Sequence, residues 1–300
     1  MLLNASAGTA AGKKRDDLRA ELEAAVRKHA ISASFEFAPG SELRAAAEHA
    51  VKRASAGEID AIVAAGGDGT IRTVASAVAG TDIPLGIIAL GTLNHFAKDL
   101  KIPLRIDDAV AVISGGVHRS VDVGEANGEI FVNNSSIGIY PYVVLDRDRR
   151  RKRHGLSKWP AMMMAGFRAF WNLPLRRLRI RAQNWQEACR SPCVFIGNNE
   201  YHLQGSSFGS RERLDGGELC LFVARQQGRL ALLWVAVRCI AGWVDQRDLR
   251  TVATPAVEVT SRRKRLLVAF DGEIQWMQTP LHYRTRPAAL RVLAPLPEQQ

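Results

Sequence analysis

Ile62-Val63-Ala64-Ala65-Gly66-Gly67-Asp68-Gly69-Thr70-Ile71-Arg72-Thr73-Val74-Ala75-Ser76-Ala77-Val78-Ala79 decides the reading of this chain. An apolar run ends in glycines and hands over to a helix expected from Ile71 to Ala79. That junction exposes backbone N–H groups at a helix N-terminus, where the dipole favours negative charge. Glycine lets the backbone approach an anion with no Cβ in the way. The pattern is suited to the phosphates of a nucleotide. Asp68 argues in addition for a metal or a bound water, since a carboxylate beside phosphate would otherwise repel it. Glycine and aspartate are also ordinary loop residues, so a plain strand-to-helix turn uses the same letters.

A second stretch repeats the design. Pro84-Leu85-Gly86-Ile87-Ile88-Ala89-Leu90 is again apolar, and Gly91-Thr92-Leu93-Asn94 leads into a helical stretch from about Phe96. The N-terminus supplies a third bend, in which Met1-Leu2-Leu3 runs into Asn4-Ala5-Ser6-Ala7-Gly8 before a helix from about Asp16 to His29. In an open α/β sheet, ligands gather beyond the carboxyl ends of the strands, where such bends converge. Three of them predict one anion site.

The first part of the chain alternates strands and helices, as parallel sheets require. A strand near Ser34 to Phe37 and helices near Glu42 to Ala54 and Ile106 to Ser114 complete it. From about Asp122 the pattern changes to short strands: Ile130–Asn133, Leu178–Ala182, Cys193–Gly197, Leu219–Val223, Ala256–Thr260 and Leu266–Phe270. Arg177, Arg179 and Arg181 alternate with Leu178, Ile180 and Ala182, which puts one face in water. The chain of 300 residues therefore reads as two domains, 1–121 being α/β and 122–287 mostly β.

A hydrophobic share of 47% beside a charged share of 24% is that of a soluble globular protein and excludes a disordered chain. The longest apolar stretch, Leu230 to Val244, is interrupted by Arg238 and falls short of the ~20 residues a membrane span needs. The N-terminus has no basic start followed by an apolar segment, so a cytoplasmic location is expected. Cys189, Cys193, Cys220 and Cys239 show no paired metal spacing and read as ordinary thiols. A net charge of +11 implies an acidic partner: nucleotide, anionic lipid or nucleic acid. Since no nucleic-acid recognition motif accompanies the charge, nucleic acid is not expected.

Taken together, Asn4-x-Ser6-x-Gly8, Gly66 to Thr70, Gly86 to Ala97, Asp122-x-Gly124 with Asn127-Gly128, and Asp271-Gly272-Glu273 resemble the diacylglycerol-kinase catalytic family. That family includes sphingosine kinases and soluble bacterial lipid kinases. The Gly-Gly-Asp-Gly-Thr element is shared with NAD kinases, whereas Gly91-Thr92-x-Asn94 followed by Phe96-Ala97 is similar to the lipid-kinase version. The resemblance implies an NAD-kinase-like N-terminal α/β domain, a C-terminal β-sandwich-like domain and a nucleotide cleft between them. It also implies that a last strand, near 288–295, returns to the first domain. ATP and Mg²⁺ are the implied cofactors. Asn4, Ser6, Gly8, Gly66, Gly67, Asp68, Gly69, Thr70, Gly91, Thr92 and Asn94 are expected around the nucleotide. Phosphoryl transfer needs positioned phosphates, a divalent cation and an acceptor for the hydroxyl proton. The resemblance gives the acceptor role to Asp271, with Glu273 as the rival assignment. From the residues alone, Asp-Gly after a strand is equally a hairpin turn. Asp68 and Asp122 are the implied metal ligands at the active site, and Asp215 falls near a second, structural metal site.

The chain departs from the family at several of these places. His95 stands where an aspartate is usual, and Arg72-Thr73 where Asn-Glu is usual. Neutral imidazole is a poor magnesium ligand, so an altered metal shell is expected. The structural site aligns Gly216 with the ligand aspartate and leaves Asp215 one place off, so that site is expected to be lost or rearranged. A basic run with Arg147, Arg149, Arg150, Arg151, Lys152 and Arg153 precedes Trp159, Met162, Met163, Phe167 and Phe170, which share one face of a helix. Such a pairing suits an anionic membrane surface, and a core helix behind a solvated loop fits it equally. Asn198-Asn199-Glu200-Tyr201 with Gly205-Ser206-Ser207, and Asn133 to Gly138, are expected near the lipid headgroup. The expected function is an ATP-dependent lipid kinase, peripheral at the inner face of the membrane, with a homodimer left open. A kinase of NAD or a soluble polyol and a non-catalytic lipid- or nucleotide-binding module are the alternatives.

Overall fold

The computed structural model describes residues 1–4, 15–138, 140–142, 144–145, 176–183, 185–191, 193–201, 209–224 and 249–296. The chain divides into two compact units, Met1–Val123 with Arg286–Gln300, and Gly124–Thr285. Among the described residues no helix is long and apolar enough to cross a membrane.

In chain order the first unit contains β1 (Leu2–Asn4), α1 (Arg15–Lys28), β2 (Glu36–Ala38), α2 (Leu43–Ser55), β3 (Ile62–Gly66), α3 (Asp68–Val78), β4 (Leu85–Ala89), α4 (His95–Asp99), α5 (Ile106–Gly115) and most of β5 (Val117–Ala126). The sheet runs β2-β1-β3-β4 with every pair parallel. All ten residues of β3 and β4 are buried, as strands covered on both faces must be, which explains their unbroken apolar runs. Helix α3 presents Ile71, Val74, Ala75 and Val78, all with no exposed surface, at the spacing of one helical face. It begins at Asp68, three residues ahead of the expected start. Gly67 is its extended N-cap, and the Ile71 N–H donates to the Gly67 carbonyl at 3.1 Å. The Asp68-Gly69-Thr70 segment is therefore the first helical turn rather than a loop before it.

The second unit continues with β6 (Glu129–Phe131), β7 (Asn134–Gly138), β8 (Arg176–Ala182), β9 (Trp185–Ser191), β10 (Cys193–Asn198), β11 (Leu219–Ala224), β12 (Leu249–Thr254), β13 (Ala256–Ser261), β14 (Arg265–Phe270), β15 (Glu273–Gln278) and β16 (Leu281–Ala294). One antiparallel sheet has the order β12-β11-β10-β7-β14-β15. In the other array, β9, β8, β13 and the first half of β16 pair antiparallel in that order. A shared apolar core joins Ile137, Val194, Ile196, Leu221, Val268 and Phe270 of the first with Leu178, Ile180, Val257, Val259, Leu281 and Tyr283 of the second. On β8 the expected alternation holds, with Leu178 and Ile180 inside and Arg179 and Arg181 exposed.

Two Asx-Gly pairs close two-residue hairpins. Asn127-Gly128 joins β5 to β6 with φ of 48° and 90°, and Asp271-Gly272 joins β14 to β15 with φ of 48° and 88°. Both central residues have positive φ, the condition of a type I′ turn. The second half of β16 lies in the first unit, where Val292 sits opposite Leu85 in parallel register. Along the way β16 kinks at Ala288, φ 50°, whose N–H donates to Asp122 Oδ1 at 2.8 Å.

Candidate functional site

Strands β1, β3 and β4 point the same way, with Leu3 opposite Ala65 and Gly66 opposite Ala89, so Asn4, Gly66 and Ala89 end along one edge of the sheet. The two glycine bends that follow touch. A Cβ built on Gly91 would lie 2.7 Å from Gly67 Cα, closer than side chains and backbone ever come. Only glycine at position 91 allows this approach. Asn94, in the left-handed region at φ 53°, clasps the second bend from below: its Oδ1 accepts the Gly91 N–H and its Nδ2 donates to the Gly91 carbonyl, both at 3.0 Å. The Asn94 N–H in turn donates to Asp68 Oδ2 at 3.0 Å, which links the second bend to the first.

These bonds revise two of the expected roles. The Gly91 amide and the Asn94 side chain are used within the protein, so they shape the bend rather than offer donors to a ligand. The donors on offer are those of α3, whose cap Gly67 supplies no side-chain hydrogen bond to the first turn. Thr70 is buried within that turn and Thr92 is exposed at the tip of the second bend. Asp68 Oδ1 is buried and has no hydrogen-bond partner among the described residues. An uncompensated carboxylate oxygen is costly, and a cation or its water is what that position asks for. Asn4 lies at the carboxyl end of β1 with Nδ2 3.7 Å from where a Gly40 Cβ would stand, whereas Ser6 and Gly8 lie outside the described residues.

In the second unit, Asp271 occupies the first position of its hairpin turn and reaches back to the chain between β6 and β7. Its Oδ2 accepts the Val132 N–H at 2.8 Å, and its Oδ1 accepts the N–H groups of Asn133 at 2.8 Å and Asn134 at 2.9 Å. Its own N–H donates to the Asn134 carbonyl at 2.9 Å. Three of the roughly four lone-pair positions of the carboxylate are thus engaged by amides. The hairpin turn is what aims the carboxylate. Glu273 follows, exposed, at the start of β15.

The remaining expected ligands do other work. Asp122 is buried, and its Oδ1 is committed to Ala288 at the kink of β16. Asp215 is exposed and pairs with Arg213 Nε at 3.2 Å, in the segment whose metal site was expected to be lost or rearranged. Gly216, aligned with the family's ligand aspartate, donates its N–H to Asn199 Oδ1 at 2.8 Å. Among the described residues no three His, Cys, Asp or Glu side chains gather to hold a metal. Of the residues expected near a lipid headgroup, Ser135 shares a 3.1 Å hydrogen bond with the fully buried Tyr283, and Tyr201 donates its hydroxyl to the Asn133 carbonyl at 2.9 Å. The basic and aromatic stretch 147–171 and residues 205–207 lie outside the described residues, as does the apolar stretch 230–244. Cys220 is inert as expected of an ordinary thiol: burial pushes its pKa up to about 12, keeping it protonated.

One residue was missed. Arg211, in the charged run Arg211-Glu212-Arg213, reads in sequence as part of a solvated loop, yet it is 4% exposed. Its Nη1 donates to the carbonyls of Val132 at 2.7 Å and Asn198 at 3.0 Å, and its Nη2 to Asn133 Oδ1 at 2.7 Å. No local signal separates it from Arg213, which is exposed; its burial is a long-range fact.

Comparison with known proteins agrees with this division. Residues 1–126 match the diacylglycerol kinase catalytic domain model, and residues 136–294 match the model of the YegS C-terminal NAD kinase beta sandwich-like domain. A diacylglycerol kinase of Bacillus subtilis (strain 168) is 46% identical over 90 residues, covering 29% of this chain and 30% of its own. A protein of Pseudomonas fluorescens named "Probable lipid kinase YegS-like" is 28% identical over 254 residues, 83% of this chain and 82% of its own. The coverage of relatives is uneven: a YegS-like protein of Pseudomonas aeruginosa, 31% identical, is matched over 57% of its length. The solved structure of a diacylglycerol kinase from Bacillus anthracis str. Sterne aligns over 98% of this chain and 95% of its own, with TM-score 0.66 and 21% identity. A second structure from that organism aligns over 98% and 96%, with TM-score 0.73 and 22% identity. Paired glycine bends ahead of an α/β helix, followed by the β-sandwich with its Asp-Gly turn, are what both domain models cover, and the chain belongs to the diacylglycerol and lipid kinase family.

Proposed function

We propose that this chain is an ATP-dependent kinase that transfers the γ-phosphoryl group to a hydroxyl of a membrane lipid of the diacylglycerol class, acting at the inner face of the membrane. The observation that supports this reading is the pair of touching glycine bends, with Asp68 Oδ1 buried in the first of them and without a hydrogen-bond partner among the described residues. The first-turn amides of α3 receive phosphate oxygens at the positive end of the helix dipole. Asp68 would hold a magnesium ion beside those phosphates, and the ion would neutralise phosphate charge when bound. Asp271 accepts the proton of the lipid hydroxyl as its oxygen attacks the γ-phosphorus and ADP leaves. Held by three amides, that carboxylate keeps one orientation. Positioning of this kind, rather than covalent chemistry, is what a loose phosphoryl-transfer transition state demands of a protein.

Incubation with γ-labelled ATP, Mg²⁺ and vesicles of total membrane lipid or of diacylglycerol in phosphatidylglycerol tests the reading. Label is expected in a lipid product, with none in NAD or free polyols supplied in parallel arms. Asp271→Ala is expected to lower turnover by roughly 10²–10⁴-fold while ATP binding is retained. Label in a soluble acceptor alone, or ATP binding with no acceptor labelled, ends the lipid-kinase assignment; undiminished turnover in Asp271→Ala puts the base elsewhere.

A further inference from the structure

We propose that Arg211 is a positioning residue for phosphoryl transfer: through the peptide between Val132 and Asn133, it sets the amides that hold the Asp271 carboxylate. The inference rests on the reading of Asp271 as the proton acceptor. Its basis is that one peptide group carries both contacts. The Val132 carbonyl accepts Arg211 Nη1 at 2.7 Å, and the Asn133 N–H of the same planar unit donates to Asp271 Oδ1 at 2.8 Å. Turning that plane to aim the N–H away from Asp271 would break the bond to Arg211.

The segment needs such a restraint. Val132 and Asn133 lie between β6 and β7 and belong to neither strand; the Asn198 N–H donates to the Asn133 carbonyl at 2.9 Å, but the peptide plane between Val132 and Asn133 has no backbone partner among the described residues. Side chains hold that plane. Asn198 Nδ2 also donates to the Val132 carbonyl at 3.1 Å, and Arg211 Nη2 anchors the Asn133 side chain at 2.7 Å. The guanidinium is a rigid planar fork, so its two nitrogens fix the carbonyl and the amide side chain relative to each other, which a lysine ammonium cannot do. Charge stands at both ends of the peptide dipole, a carboxylate at the N–H and a guanidinium at the C=O, and each bond polarises the other in the same sense. Arg211 also stacks over Tyr201, its Cζ 5.3 Å from the ring centroid, and Tyr201 donates its hydroxyl to the Asn133 carbonyl. Guanidinium, tyrosine and Asn198 thus hold the carbonyl side of the segment whose amide side holds Asp271.

The test uses the full chain with Arg211→Lys, Arg211→Met, Asp271→Asn and each Arg211 change combined with Asp271→Asn. Two quantities are read: amide hydrogen exchange at Val132, Asn133 and Asn134, and turnover with labelled ATP on diacylglycerol in phosphatidylglycerol vesicles. Arg211→Lys is expected to fold, to speed exchange at those three amides by about tenfold or more, and to lower kcat by roughly 10–100-fold with KM for ATP unchanged. Arg211→Met should lose more than Arg211→Lys in both. In the Asp271→Asn background neither change should lower kcat further, because the residue acts through a carboxylate already gone. Losses that multiply in the double variants, or that appear equally in KM for ATP, mark a merely structural arginine and overturn the proposal. Unchanged exchange in Arg211→Lys overturns it as well. Wild-type turnover in Arg211→Lys beside an inactive Asp271→Asn removes this inference alone, whereas wild-type turnover in Asp271→Asn removes the base assignment on which it stands.

Discussion

Asp68 and Asp271 are both aspartates set against backbone amides, one in each unit, and their surroundings could hardly differ more. Asp68 accepts one amide, from Asn94, and keeps its other oxygen buried and without a partner among the described residues. Asp271 accepts three, and the segment donating them is braced from behind by Arg211 and Asn198. The first carboxylate leaves one oxygen unengaged among the described residues, whereas the second has both oxygens engaged. A protein that must bind and release a charged nucleotide benefits from the first kind of site, and a group that must meet a hydroxyl in one orientation benefits from the second.

Substitutions can break the contrast, and the largest effect belongs to Gly91→Ala. The new Cβ meets the Gly67 backbone as well as Asn94 Oδ1, each at 2.7 Å, so the two bends must part. ATP affinity is expected to fall by roughly 100-fold and folding stability by about 1–3 kcal/mol, read by ATP titration and denaturant unfolding. Unaltered ATP affinity would show that contact between the bends is not what forms the anion site. Asp68→Asn sharpens the same point in the opposite sense. The amide can still accept from Asn94 while a neutral NH₂ replaces the uncompensated oxygen, so the free protein should melt at the same temperature or higher. The magnesium-dependent part of ATP affinity should nonetheless drop by roughly tenfold. A lower melting temperature would mean that the buried oxygen is compensated in the free protein. The smallest effect is expected at Asp107, which is neither kind of site. A hydrogen bond from Lys28, and a weaker one with His29, hold its carboxyl below the ordinary carboxylate range. A depressed folded value means a stabilisation present at neutral pH and lost as pH falls through that value. Asp107→Asn should therefore lower the melting temperature slightly at pH 7 and not at all at the acid end, and a gap that persists in acid would exclude the ion pair as its cause.

The sequence made some parts of this fold plain and hid others for identifiable reasons. Buried strands β3 and β4 announce themselves as apolar runs, and β8 by its alternation of arginine with leucine and isoleucine. Three of the strands that escaped notice, β9, β12 and β15, end the order of their sheets, although β5 and the central β7 escaped as well. With one neighbour instead of two, those three carry mixed letters, Trp185-Gln186-Glu187 and Glu273-Ile274-Gln275 among them, that read as loop. The glycine bends of the site were legible because glycine has few other reasons to recur at strand ends. What Asn94 and Gly91 do there was not, since a side chain that bonds its own loop and one that reaches a ligand look alike as letters. The contacts of Asp122, Ser135 and Arg211 were hidden for one reason: each is bound to a partner distant in the chain, Ala288, Tyr283 and Val132 respectively.

The kink at Ala288 steers the final residues of β16 to lie alongside β4. Residues 1–123 leave the ribosome long before residue 292 exists, so during synthesis β4 waits with an open edge that the second half of β16 closes later. Removing residues 288–294 would therefore injure the part of the molecule made first, not the part made last.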